Sequence, residues 1–150
     1  MEVQSRGAES GSGGCSRLRS SDGSEVAIGA GAVLRVAALR ARGVELELGR
    51  GSVRLDVANR PGSLWRLRAG DHWLVGNGAS FDVEFNPDLQ SLDLDLERGS
   101  LFLGGPATRA EVGAGDHLSV RPGREPVSLE GSRRIARCSP GDAEPERENQ

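Results

Sequence analysis

The sequence predicts an all-β protein: many short strands in two related repeats, stacked like a β-solenoid or folded as an open β-sandwich. Three observations carry that expectation. Apolar and polar residues alternate along most of the central chain, glycine-containing turns cut the alternation into short runs, and two different segments recur at nearly the same spacing.

The alternation is clearest in Val44-Glu45-Leu46-Glu47-Leu48, Val53-Arg54-Leu55-Asp56-Val57, Phe81-Asp82-Val83-Glu84-Phe85 and Leu92-Asp93-Leu94-Asp95-Leu96. Side chains of a strand point to opposite faces in turn, so each run should bury its Val, Leu and Phe face and leave the charged face wet. Turns fall between the runs at Asp22-Gly23, Gly49-Arg50-Gly51-Ser52, Pro61-Gly62, Asn77-Gly78, Arg98-Gly99-Ser100, Gly104-Gly105-Pro106 and Pro122-Gly123. The stretch 33–42, VLRVAALRAR, holds good helix formers, but it is short and has no N-cap signal. It is expected as a strand followed by a loop. Residues 1–20 read as a flexible Gly/Ser/Arg leader, 21–132 as the folded domain, and 133–150 as a disordered polar tail with too little apolar surface to offset the entropy of ordering it.

The repeat shows first in a tetrapeptide. Ala69-Gly70-Asp71-His72 returns as Ala114-Gly115-Asp116-His117, 45 residues later, and the segment 44–57 returns from Leu92 onward at an offset of 48, keeping the Arg-Gly-Ser turn and the acidic outer face. Two units that each expose an apolar face can bury it against one another. In this reading Asp71 and Asp116 are turn residues whose carboxylates accept nearby backbone N–H groups.

Composition narrows the function. A chain of 150 residues is naturally one domain. All 19 basic residues are arginine, against 22 acids, and the net charge of -3 provides no basic stripe for nucleic acid. The cluster Arg133, Arg134 and Arg137 lies toward the C-terminus. No run approaches the roughly 20 apolar residues of a transmembrane helix, and the N-terminus lacks the apolar core of a secretory signal, so the 150 residues read as a soluble chain without a membrane segment. Cys15 and Cys138 have no metal-type spacing; they either pair or remain two thiols.

The candidate chemistry is sparse. His72 and His117 are the only histidines. A cupin-like metal site would gather two or three histidines and a carboxylate on adjacent strands, and the segment 113–123 resembles a cupin strand with its Pro-Gly turn. Histidines in equivalent positions of two repeats belong to separate sites, so no metal or other cofactor is expected. Ser80, His72 and Asp71 make a triad only on paper, because neighbours on a strand face opposite ways. The pairs Glu45/Glu47 and Asp93/Asp95 share strand faces and read as solvated outer faces rather than a catalytic or calcium pair. No catalytic residue is assigned, and the protein is expected not to be an enzyme. Trp65 and Trp73 are the candidates for a contact surface, with core placement the simpler reading.

The ordered motifs resemble the FecR family, the periplasmic signal-sensing domain of bacterial sigma-factor regulators. Asp22-Gly23-Ser24 followed by Glu25-Val26-Ala27-Ile28 is similar to the family's opening turn; the run 46–58 is similar to its next element; Gly78-Ala79-Ser80-Phe81-Asp82-Val83 is similar to its Gly-Thr-x-Phe-x-Val signature, with Ala79 at the threonine. The segments 92–103 and 112–120 are similar to the two that follow, so the likeness covers 22–120. It implies a non-enzymatic sensory or regulatory module in the periplasm that works through a protein partner, such as an envelope receptor or regulator. Sigma-factor binding itself is not expected of these residues. The alternatives are a cupin-like metal-binding β protein and a structural module of the cell envelope.

Overall fold

A computed structural model of the protein describes residues 3–5, 16–106, 108–122 and 127–128. Cys15, Cys138 and the arginines at 133, 134 and 137 lie outside these, as does the tail 133–150. The described residues form thirteen strands and no helix: β1 (Val3–Ser5), β2 (Ser16–Ser20), β3 (Glu25–Ile28), β4 (Val33–Arg40), β5 (Gly43–Asp56), β6 (Leu64–Ala69), β7 (His72–Gly76), β8 (Ser80–Asn86), β9 (Ser91–Arg98), β10 (Ser100–Gly105), β11 (Thr108–Gly113), β12 (His117–Val120) and β13 (Val127–Ser128). They join in one curled sheet, an open half-barrel, whose main path is β11-β10-β7-β6-β5-β8-β9-β12-β13. Every pair is antiparallel except β5 with β6. Strands of the two expected units pair directly, β7 with β10 and β8 with β9.

The long strand β5 is the hinge of the sheet. Its first half pairs with β4 and β6, and its second half with β3 and β8. The chain bends between the halves at Arg50-Gly51-Ser52, where Gly51 has φ +92° and a Cβ would stand 2.6 Å from Ala32. The second Arg-Gly-Ser does the same between β9 and β10: Gly99 has φ +85°, and a Cβ there would lie 2.5 Å from the carbonyl oxygen of Gly78. Only glycine enters that backbone region without strain and leaves that space. The two copies cross in opposite senses: β5 runs from the β4/β6 half to the β3/β8 half, while the β9–β10 passage runs from β8 and β12 to β7 and β11.

The stretch 33–42 is strand through Arg40 and then a turn. Its helix formers are overridden by pairing along β5, which buries Leu34, and register shifts at Val33/Leu34 and Val36/Ala38 mark bulges in this edge strand. Inside the curl, Leu55, Phe81 and Leu96 sit side by side across β5, β8 and β9, as do Val53, Val83 and Leu94. These join Leu46, Leu67, Leu74, Leu103, Ile28 and the rest of one continuous buried core.

The Asp-Gly-Ser turn ties the start of the domain to both halves. The Asp22 carboxylate accepts the Ser24 N–H at 2.8 Å and the Trp65 indole N–H at 3.3 Å, and the buried Ser24 hydroxyl accepts the Ala58 N–H at 2.8 Å. Partial burial works against the Asp22 charge, but these bonds, with Ser20, hold its pKa below the ordinary carboxylate value.

Candidate interaction surface

The inner face of the curl is filled by the core, which leaves the outer faces and edges as the accessible surface of the described residues. Over β3, β5, β8, β9 and β12 the outer face is a charge network. Register aligns Ala27, Arg54, Asp82, Asp95 and His117 across five strands. Arg54 donates to Asp82 at 3.1 Å, Asp56 at 3.3 Å and Glu97 at 2.6 Å. Burial opposes the Arg54 charge, yet Glu97, Asp56 and Asp82 raise its pKa above the ordinary value. The His117 ring Nδ1 bonds Asp95, and Arg121 pairs with Asp93 at 3.8 Å.

Asp93 and Asp95 thus stand on the outer face, with side chains only 16% and 14% exposed, against Arg121 and His117 respectively. The cause is cross-strand: His117 stands directly opposite Asp95, Arg121 reaches Asp93 from just past the end of β12, and register is invisible in a single strand's sequence. The other pair is likewise bonded, Glu45 to Arg40 at 3.3 Å and Glu47 to Arg35.

The histidines have separate surroundings. His72 lies on β7, on the same side as the buried Leu74, with its ring against Gly105, where a Cβ would come within 2.8 Å of the ring. Burial lowers its pKa, with Asp71 acting in the opposite direction. His117 is on β12 in the network just described. Asp116 fills the expected turn role, accepting the Gly113 N–H at 2.8 Å, and Asp71 is exposed in the matching turn. Ser80 is buried on β8 and accepts a hydrogen bond from Arg98, away from the neighbours of His72 on β6 and β10. Among the described residues no three or more of His, Cys, Asp and Glu gather to hold a metal.

The two tryptophans divide. Trp65 is in the core, 4% exposed. Trp73 faces outward on β7 with two guanidinium groups on its ring, Arg66 at 4.7 Å and Arg68 at 4.9 Å from the ring centre. Cation–π contacts of this kind fix both the ring and the arginines. Beside it, in register with Val75, Phe102 is 40% exposed. Of the two tryptophans the sequence offers as contact candidates, Trp65 takes the core placement and Trp73 does not; Phe102, within Leu101-Phe102-Leu103, carries no comparable signal.

The chain matches no known family profile and no curated protein in sequence. Solved structures do match. Two crystal structures of a provisionally assigned anti-sigma factor from Parabacteroides distasonis align with TM-scores of 0.71 and 0.72, at 17% and 16% identity. The fold is shared. The alignments take in 86% and 85% of this chain and 59% and 60% of those chains, so this chain spans about three fifths of their length. Among the described residues no helix is long and apolar enough to cross a membrane.

Proposed function

We propose that this chain is a regulatory module related to sigma-factor control, of the FecR kind, that acts by binding another protein outside the cytoplasm and not by catalysis. Two features support the reading: the fold likeness to the anti-sigma-factor chains, and the structural use of the motifs that resemble FecR, with Asp22-Gly23-Ser24 anchoring the domain and Arg98-Gly99-Ser100 turning it. The matching Gly51 and Gly99 corners favour an ancestral duplication. The observation that carries protein binding is the outward Trp73, with the Arg66 and Arg68 guanidinium groups over its ring, next to the exposed Phe102. Tryptophan, other aromatics and arginine are the side chains that dominate binding energy at protein interfaces.

The test is transcriptional. In cells that make the protein, Trp73→Ala at normal protein abundance should shift the same set of transcripts as deletion of the gene. Unchanged transcription, together with loss of a chemical conversion on deletion, would contradict the reading.

A further inference from the structure

We infer that the outer face of β6, β7, β10 and β11 binds an acidic, extended segment of a partner protein; this rests on the protein-binding reading above. Two rows cross the face in register: Arg68, Trp73, Gly104, Arg109, and Arg66, Val75, Phe102, Glu111. The glutamates next along these rows, Glu47 beside Arg68 and Glu45 beside Arg66, are bonded by Arg35 and Arg40 of the edge strand β4. Arg66 and Arg68 turn instead to the Trp73 ring, with the Arg68 Nε also donating to the Gly70 carbonyl at 3.2 Å. Among the described residues these four strands carry Arg66, Arg68 and Arg109 on this face against the single acid Glu111, so the patch is positive on a chain of net charge -3. Such a local reversal of sign selects a partner of opposite charge.

The geometry suits an extended segment running across the strands. Gly104 puts no side chain between Trp73 and Arg109, and its place is bordered by the Phe102 ring, 3.2 Å from where a Cβ would be. Neighbouring strands lie about 4.8 Å apart, so Arg68 on β6 and Arg109 on β11 are separated by roughly 14 Å. Carboxylates at positions i and i+4 of an extended chain are about 13 Å apart and on one side, matching that span. Nucleic acid is disfavoured because the rest of the molecule repels phosphate.

The test follows the two tryptophan indole N–H signals of the full chain by NMR during titration with a short threonine-rich peptide carrying glutamate at i and i+4, its glutamine counterpart, and oligothymidylate. The glutamate peptide should move the Trp73 signal saturably, leave the buried Trp65 signal in place, and weaken in high salt. Arg68→Gln combined with Arg109→Gln should lower its affinity about tenfold. Equal response to the glutamine peptide, equal movement of Trp65, indifference to the arginine changes, tighter binding of oligothymidylate, or no response at millimolar peptide would each overturn the inference. Failure here leaves protein binding itself to be decided by cross-linking to a cellular partner.

Discussion

Gly51 and Gly99 each turn the chain where a neighbouring backbone is too close for a methyl group, at 2.6 Å and 2.5 Å. Gly99→Ala should therefore destabilise the fold by more than about 1 kcal/mol, through positive φ and a backbone clash together, and Gly51→Ala by a similar amount. Denaturant unfolding of each variant measures this. Asp22 gives a pH-dependent counterpart. Because its folded pKa is depressed, its charge stabilises the fold above the unfolded value of about 4 and ceases to do so as pH falls through the folded value. Asp22→Asn should accordingly be less stable than the parent at pH 7, with the gap closing in acid. His72 has the same sign with a different window: it favours the fold above about pH 6.5, and that contribution declines below it. At this scale the sequence was informative about turns. Asp-Gly-Ser and Arg-Gly-Ser carry their backbone requirements in their own side chains. The Asp22–Trp65 bond spans 43 positions, and no local pattern announces it.

Strands were legible from alternation because one face of each packs on the core, and β5, β8 and β9 appear where the runs 44–57, 81–85 and 92–96 placed them. What alternation could not supply was pairing. Arg54 gains its meaning only when β8 and β9 bring Asp82 and Glu97 beside it. Its side chain is 15% exposed and that of Asp82 4%, so removing the cation takes a guanidinium away from a buried carboxylate. Arg54→Met should cost about 3 kcal/mol at pH 7, measured by denaturant unfolding. A deficit well below about 1 kcal/mol would show that the network contributes little to the fold. Edges also differ by element. Strand addition at an open end is a natural mode for such a protein, but β4 is broken by two bulges, a device that discourages pairing, whereas β11 runs in unbroken register with β10.

The whole molecule presents two unlike outer faces. Over β8, β9 and β12 Asp82 and Glu97 meet Arg54, Asp95 meets His117, and Asp93 meets Arg121. Over β6, β7, β10 and β11 arginines flank an outward tryptophan beside an exposed phenylalanine. The sequence indicated an all-β fold, and it offered Trp65 and Trp73 together as contact candidates, with core placement the simpler reading for both. It could not indicate the face, because that depends on β10 lying next to β7 with β6 on the other side. Protein binding through this face is the central claim, and site-specific photo-cross-linking in the cells that make the protein tests it most directly. A photoreactive residue at Phe102 should capture a distinct partner protein, and one at Glu84 on the opposite outer face should not. Capture at Glu84 with none at Phe102, or no partner from either position, would contradict the account.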